Sequence, residues 1–257
     1  NMGCLFCQNW HITKTKGKIE NCIQASPKEI VEIAKKYNCK SVAFTYNDPI
    51  IFFEYALDCA KLCQKEGIKT ILVTSGYINP EPCRELFQYI DAANIDLKGF
   101  SEEFYSKNCL AHIKPVLDTI KYVCNETKTH TELTTLLIEG KNDFDEMIEK
   151  ECIWIKDNIG DSIALHFSAF FPKYKFNHLK QTSYNTLLRA YNIAKKIGLK
   201  YVYTGNLSTI ESSSTYCKNC NKPIIKRNGY QIIEYNLIQN KCKFCNTKCD
   251  GEFDCVL

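Results

Sequence analysis

Residues 41–66 read SVAFTYNDPIIFFEYALDCAKLCQKE, and this stretch indicates the fold. Its first part, Ser41 to Tyr46, is rich in β-branched and aromatic residues and predicts a short strand. A helical pattern then runs from about Phe52 to Glu66 and is followed by Gly67, a residue type common just beyond helix ends. The stretch therefore predicts a strand, a polar loop and a helix in succession.

The same cycle recurs on both sides of this stretch. Ser26 and Pro27 resemble an N-cap and the first position of a helix. Further strands are predicted at Thr70–Thr74, Ala92–Leu97, Thr131–Ile138, Ser162–Ser168 and Tyr201–Tyr203. Further helices are predicted at Pro80–Tyr89, Ile113–Cys124, Phe144–Asn158 and Tyr184–Ile197. Apolar strands that alternate with helices are typical of a parallel sheet with crossover helices. The predicted fold class is α/β: a partial (open) β/α barrel of parallel strands, with one further strand expected upstream of Asn1.

Four unusual loops follow the predicted strands. In a parallel α/β architecture the loops after the carboxyl ends of strands gather at one rim, where sites are built. The loops at this rim are Tyr46–Pro49, Ser75–Tyr77, Asp96–Gly99 and Glu139–Asp143. Since all four are polar or contain glycine, the sequence predicts a pocket there.

The chain begins NMGCLFCQN, which places Cys4 and Cys7 two residues apart with Phe6 before the second cysteine. This is the back half of a Cys-x3-Cys-x2-Cys loop, so we interpret the N-terminus as a truncation and expect the first cysteine just upstream of Asn1. Taken alone, the pair fits an iron–sulfur cluster, half a zinc site or a redox dithiol.

Composition limits the other function classes. A chain of 257 residues with 16 cysteines can fold without disulfides, so the cysteines favour a reducing, cytoplasmic setting. A net charge of +4 gives no general electrostatic reason to expect binding to nucleic acid or to a membrane surface. No apolar run is long enough to span a bilayer. The five histidines lack a metal-ligand spacing, and no nucleophile elbow or phosphate-binding glycine loop occurs.

The C-terminal part forms a second predicted unit. We place a core domain at 1–207 and a linker with a small metal unit at 208–257. Cys217, Cys220, Cys242 and Cys245 form two Cys-x2-Cys pairs, the pattern of a four-thiolate zinc ribbon, with disulfides as the alternative. Asn228-Gly229 predicts a hairpin turn between the pairs. The lysines of this unit are interpreted as a solvated face rather than a nucleic-acid patch.

A cysteine before Asn1 would make the first loop resemble the signature of radical S-adenosylmethionine (SAM) enzymes. More narrowly, the chain resembles the radical enzyme of the AmmeMemoRadiSam system, which is related to pyruvate formate-lyase activating enzymes and carries a similar tail. Four further segments match that family in the same order: Thr45–Pro49, Val73–Tyr77, Ala93–Phe100 and Tyr201–Asn206.

The resemblance implies a [4Fe-4S] cluster held by three thiolates, two of them from Cys4 and Cys7. The open iron would bind SAM, and one electron would cleave it to a 5′-deoxyadenosyl radical that abstracts hydrogen from a substrate. The implied cofactor-binding residues are Phe6 near the adenine, Asn47 and Asp48 near the methionine amine, Ser75 in the next rim loop, Asp96 and Lys98 near the ribose or methionine, and Thr134 on the fifth rim loop.

Each of these roles has a structural alternative. Phe6 could pack beneath the loop, Asp48 could cap the following helix, Asp96 and Lys98 could be an exposed ion pair, and Thr134 could be an ordinary strand residue. Asp48 also stands where the family usually has Glu, and Ala169 and Phe171 replace an Arg and a His.

The resemblance also implies partners. These are a protein substrate, either a glycyl-radical enzyme or a Memo-type protein, and an electron donor such as flavodoxin or ferredoxin. The alternative hypothesis is a zinc-ribbon interaction module on a catalytically dead barrel.

Overall fold

A computed structural model describes residues 1–14, 22–251 and 253. Six strands form one open sheet in the order β1-β2-β3-β4-β5-β6. They are β1 (Ser41–Phe44), β2 (Lys69–Thr74), β3 (Ala92–Asp96), β4 (His130–Leu137), β5 (Ala164–Ala169) and β6 (Tyr201–Gly205). The parallel sheet confirms the predicted α/β class, and each strand lies within a few residues of its predicted position.

Helices precede, connect and follow these strands. They are α1 (Trp10–Thr13), α2 (Pro27–Lys36), α3 (Phe53–Lys65), α4 (Pro80–Leu86), α5 (Glu102–Phe104), α6 (Ile113–Glu126), α7 (Asp145–Asn158), α8 (Tyr184–Ile197) and α9 (Ile210–Ser213). No helix in the described part of the chain has the length and apolar character needed to cross a membrane.

The helix ends follow local chemistry. Ser26 Oγ accepts a hydrogen bond from the Glu29 amide, and the Glu29 carboxylate accepts one from the Ser26 amide at 2.7 Å. This reciprocal pair is a capping box, which satisfies two amides that have no partner within the helix. Gly67 lies just beyond the C-terminal end of α3 and has a φ of +68°. Glycine adopts this conformation with little strain.

The sheet buries alternate residues. On β4, Leu133, Thr135 and Leu137 are fully buried, whereas the residues between them are half-exposed. β5 shows the same alternation, with Leu165 and Phe167 fully buried. Since successive side chains on a strand point to opposite faces, one face of these strands packs in the core and the other is partly open.

The chain divides into two compact units. The first contains Asn1–Thr131 and Pro172–Leu179, and the second contains Glu132–Phe171 and Lys180–Leu257. The predicted boundary between 207 and 208 stays a prediction. Residues 208–214, predicted as a linker, include α9, which Thr209 caps through its hydroxyl.

The C-terminal part of the second unit contains two small antiparallel sheets. One has the order β7-β8-β9, and the other pairs β10 with β11. The strands are β7 (Thr215–Tyr216), β8 (Pro223–Asn228), β9 (Gln231–Tyr235), β10 (Leu237–Ile238) and β11 (Lys241–Cys242). Asn228 pairs with Gln231, and Gly229 has a φ of +58°, so the predicted hairpin turn is confirmed.

Candidate functional site

The N-terminal cysteine loop of the first unit, residues 1–7, is held by a π-helical turn at Tyr105–Cys109. The Gly3 amide donates to the Cys109 carbonyl at 2.8 Å, and the Leu5 amide donates to the Asn108 carbonyl at 2.9 Å. The loop passes so closely that a Cβ on Gly3 would lie 2.8 Å from Leu110 Cδ1. Glycine is therefore required at this position unless Leu110 moves, and π-helical turns of this kind are frequent at functional sites.

Cys4 lies in an electropositive, half-buried environment. A side-chain hydrogen bond with Cys109 lowers the pKa of the Cys4 thiol to about 7, assisted by the charges of Lys98 and Lys14 and opposed by burial. Cys109 is fully buried, and its hydrogen bond to Cys4 together with burial raises its own pKa. The other loop cysteine, Cys7, has its sulfur 3.3 Å from the Thr13 hydroxyl oxygen. The surroundings of Cys4 favour its thiolate, the form that binds metals.

The Phe6 side chain is 2% exposed. Its ring packs between Phe104 and Phe176, with centroid separations of 5.9 and 6.0 Å. The ring therefore supports the cysteine loop from beneath, as the packing alternative expected. The predicted adenine contact stays a prediction. Because the ring is buried, the Phe6 backbone rather than the ring would make it.

Asp48 joins two rim loops of the first unit. Its carboxylate accepts hydrogen bonds from the Thr74 hydroxyl at 2.9 Å, the Ser75 amide at 3.1 Å and the Ser75 hydroxyl. It also accepts one from the Ile50 amide at 3.3 Å, and so caps the 3₁₀ turn Pro49–Phe52. Asp48 therefore caps this turn, as the structural alternative expected. It also cross-links two rim loops, which the sequence did not predict.

This network extends to the N-terminus. Asn1 Nδ2 donates to the Tyr77 carbonyl, which lies in the same rim loop as Ser75. Asn1 is therefore tied to the loop after β2, and Ser75 links that loop to Asp48 in the loop after β1.

Asn47 carries an orphan acceptor. Within the described residues, its Oδ1 is buried and has no hydrogen-bond partner. The neighbouring Tyr46 has a φ of +73° although it is not glycine, and its carbonyl accepts a hydrogen bond from Asn9 at 3.2 Å. A buried acceptor without a partner costs free energy, and strained backbone of this kind concentrates at functional sites. A donor group that binds here would remove the cost.

Asp96 and Lys98 form an ion pair at 2.6 Å at the end of β3, and their side chains are 27% and 20% exposed. Burial lowers the pKa of Lys98, but Asp96 and the Cys4 sulfur outweigh it and leave this pKa above its usual range. The pair is thus partly buried and coupled to the cysteine loop, unlike a freely exposed ion pair.

Thr134 belongs to the second unit. It is a half-exposed residue of β4 and lies in register with His166 of β5. Its predicted cofactor contact stays a prediction.

In the first unit, Asp96 and Lys98 thus interact electrostatically with Cys4. Asp48 is hydrogen-bonded to Ser75. Sequence reasoning missed Thr74 and Cys109. Thr74 had a usable signal, because it lies in the family-matching segment Val73–Tyr77 at the carboxyl end of a strand. Cys109 had none, because only the tertiary fold brings it to Cys4.

The second unit contains a candidate metal centre. The sulfur atoms of Cys217, Cys220, Cys242 and Cys245 all lie within 4.8 Å of one another. The Cys217–Cys245 and Cys220–Cys242 sulfur separations are 3.5 and 3.7 Å, far longer than the roughly 2.05 Å of a disulfide. Zn–S bonds of about 2.3 Å in a tetrahedron place sulfurs roughly 3.8 Å apart. The four thiols therefore fit a tetrahedral ion, as the spacing predicted, and not a pair of disulfides.

Comparison with known proteins defines the class. The model of the radical SAM superfamily matches residues 1–151, so the chain belongs to this superfamily. An uncharacterized protein of Methanocaldococcus jannaschii is 36% identical over 252 residues, which cover 97% of this chain and 74% of that protein.

Two further comparisons concern activating enzymes. The chain is similar to the pyruvate formate-lyase 1-activating enzyme of Escherichia coli, with 24% identity over 216 residues that cover 79% of this chain and 87% of that enzyme. A domain of the pyruvate-formate lyase-activating enzyme from Bacteroides vulgatus has a similar fold, with a TM-score of 0.56 and 19% identity over 65% of this chain and 99% of that domain. The predicted superfamily is confirmed, whereas the narrower AmmeMemoRadiSam assignment stays a prediction.

Proposed function

We propose that this protein reductively cleaves SAM at a [4Fe-4S] cluster and uses the product for hydrogen abstraction. Membership of the radical SAM superfamily supports this class of chemistry. When bound, the cluster and SAM supply the electron-transfer and bond-cleaving chemistry. Cys4 and Cys7 are the proposed cluster ligands, and the third is proposed to be a cysteine that precedes Asn1.

The observation that carries the proposal is a pair of hydrogen bonds, one from Asn1 Nδ2 to the Tyr77 carbonyl and one from the Ser75 hydroxyl to Asp48. It holds the cysteine loop against the loops that follow β1 and β2, which were predicted to bind the cofactor. A bound cofactor that touches several loops requires them to be held in fixed positions, because loose positioning costs affinity and rate.

Asn47 is the proposed acceptor for the methionine ammonium group of SAM. Its buried Oδ1 lacks a donor in the described part of the chain, and an ammonium supplies three donors. Asp48 already accepts four hydrogen bonds. We therefore assign it mainly to positioning the loop and to placing negative charge near the ammonium.

The remaining cofactor-binding residues are assigned by their surroundings. The Asp96–Lys98 pair is partly buried and electrostatically coupled to Cys4, which supports its proposed place on the ribose or methionine side. Phe6 is proposed to act through its backbone, Ser75 through the link to Asp48, and Thr134 through the half-exposed face of β4.

The proposed substrate is a protein. The Escherichia coli relative is named as a pyruvate formate-lyase 1-activating enzyme, which supports a protein as the hydrogen donor. The kind of protein that we propose is a glycyl-radical enzyme or a Memo-type protein. The proposed reductant is a flavodoxin or ferredoxin. The proposed setting is a reducing cytoplasm.

The ion proposed for the second unit is Zn²⁺. Its four thiol ligands lie beside a small apolar cluster that includes Ile224, Ile225 and Leu237. So small a core gives little stability alone, and a structural metal supplies folding free energy to units of this kind.

Anaerobic reconstitution tests the enzyme proposal. The protein, extended upstream of Asn1 to include the proposed third cysteine, is loaded with iron and sulfide, reduced with dithionite and incubated with SAM. We expect about four irons per chain at the loop and formation of 5′-deoxyadenosine. Cys4→Ser should abolish both, whereas Cys39→Ser, a change at an exposed cysteine outside the loop, should leave both intact.

The opposite result is equally specific. A protein that binds zinc in its second unit but no iron, and makes no 5′-deoxyadenosine, would favour the interaction module on a dead barrel.

A further inference from the structure

An exposed aromatic pair lies beside the cysteine loop in the first unit. The rings of Trp10 and Tyr174 are stacked with a centroid separation of 5.9 Å and an interplanar angle of 19°. Trp10 is 43% exposed, and Tyr174 is held with a φ of +51°. Lys175 Nζ lies 5.8 Å from the Tyr174 ring centre. We name the surface formed by Trp10, Lys14, Lys173, Tyr174 and Lys175 the Trp10–Tyr174 face.

This face is positively charged. Its two segments, residues 1–14 and 172–179, contain three lysines and two histidines but no Asp or Glu. All three lysines are exposed, and none of them pairs with a carboxylate among the residues that the structure describes. Their charge is therefore directed to solvent rather than neutralised by a carboxylate of the described residues.

The face is bonded directly to the cysteine loop. The Lys175 amide donates to the Leu5 carbonyl at 3.1 Å, and Lys14 Nζ donates to the Met2 carbonyl at 3.3 Å. The Thr13 hydroxyl contacts the Cys7 sulfur at 3.3 Å. Electron transfer slows steeply with distance, so a protein that reduces a centre at this loop must dock on adjoining surface.

We propose that the Trp10–Tyr174 face docks a small acidic one-electron carrier protein. This inference rests on the proposed function, which needs one electron for each SAM cleaved. The reduced carrier gives up one electron to the centre held by Cys4 and Cys7 and leaves oxidised, with no transfer of atoms. Opposite charge steers such encounters and raises association rates, while the stacked rings offer apolar contact at the centre of the face, where protein interfaces are enriched in aromatic residues.

The test separates the carrier from a chemical reductant. The double variant Lys173→Glu/Lys175→Glu reverses two exposed charges and keeps the backbone bond from residue 175 to Leu5. A matched control, Lys121→Glu/Lys128→Glu, reverses two exposed charges elsewhere in the same unit. Each complete protein is assayed for 5′-deoxyadenosine with reduced flavodoxin and, separately, with dithionite. Flavodoxin binding to the cluster-free protein is measured by calorimetry at about 20 mM and about 300 mM NaCl.

We expect Lys173→Glu/Lys175→Glu to lower the flavodoxin-driven rate about ten-fold or more at low salt and to weaken flavodoxin binding similarly. The dithionite-driven rate should stay within about two-fold of the wild type, and the control should behave like the wild type in every assay. High salt should weaken wild-type binding far more than binding of the variant.

Three outcomes overturn the inference. Equal flavodoxin binding and rates in the wild type and the variant would do so, as would an equal loss in the control. The third is turnover with dithionite but none with flavodoxin. If the wild type makes no 5′-deoxyadenosine with dithionite, the proposed function itself fails and the docking inference fails with it.

Discussion

Asp48 and Ser75 are joined by two hydrogen bonds although 27 residues separate them in sequence. One bond comes from the Ser75 amide at 3.1 Å and the other from its hydroxyl, and both reach Oδ2 of the carboxylate. The link fixes the loop after β1 to the end of β2. Beside it, the Asn47 Oδ1 atom is buried and has no donor among the described residues.

Removing this carboxylate should destabilise the first unit. Asp48→Ala leaves the Thr74 and Ser75 donors without their acceptor, and we expect the free energy of unfolding to fall by about 2–4 kcal/mol. Asp58→Ala, at an exposed position of α3, should change it by less than about 0.5 kcal/mol. Urea unfolding measures both values. A double-mutant cycle with Ser75→Ala should give a coupling of about 1 kcal/mol, and a coupling near zero would contradict the link.

Gly3→Ala should distort the cysteine loop. The added Cβ would meet Leu110 atoms at 2.8 to 3.2 Å, so we expect a loss of about 1–3 kcal/mol in unfolding free energy and faster loss of reconstituted iron. Leu110→Gly should rescue both, because it removes the obstructing side chain and suits the φ of +51° at that position. Thermal denaturation and iron release measure the effects. If Gly3→Ala/Leu110→Gly is no better than Gly3→Ala, the close contact is not the cause.

Glu151 should make stability depend on pH. It is 1% exposed, and burial raises its pKa from 4.5 to about 8, although the Thr135 hydroxyl partly opposes the shift. Between these two values the folded state binds the proton more tightly than the unfolded state, so this group makes stability fall as pH rises through that window. Each pKa unit corresponds to about 1.4 kcal/mol.

The variant Glu151→Gln isolates this effect because its amide cannot ionise. Relative to the wild type, it should gain unfolding free energy steadily from about pH 5 to pH 8 and show no gain below the unfolded pKa. Glu149→Gln, an exposed neighbour on α7, should show no such trend. Urea titrations at a series of pH values provide the comparison, and parallel curves for the wild type and Glu151→Gln would refute the assignment.

Metal binding by the second unit should depend on the four cysteines alone. Cys242→Ser removes one ligand, and we expect zinc content to fall from about one per chain to near zero, with local unfolding of the ribbon. Cys249→Ser is a matched control, because Cys249 is 3% exposed in the same apolar cluster but lies outside the ligand set. Elemental analysis should find its zinc unchanged. An equal loss of zinc in both variants would show that packing, not ligation, holds the ion.

The elements with local signals were predictable. Strand and helix positions followed from apolar periodicity, and the helix start at Ser26 and Pro27 followed from the preference of these residue types for the N-cap and the first turn. Other elements lacked such signals. The π-helical turn at Tyr105–Cys109 has no distinctive pattern, and residues 208–214 favoured a linker by composition although they contain α9.

The sequence by itself determined the alternation of strands and helices, the superfamily motif around Cys4 and Cys7, and the two cysteine pairs of the second unit. These are properties of spacing within short segments.

Only the tertiary structure decided that the Phe6 ring is buried, that the Asp48 carboxylate accepts hydrogen bonds from Thr74 and Ser75, and that Cys109 and Lys98 lower the pKa of Cys4. The reason is that burial and pKa depend on which distant residues share a volume, and no local pattern encodes those neighbours.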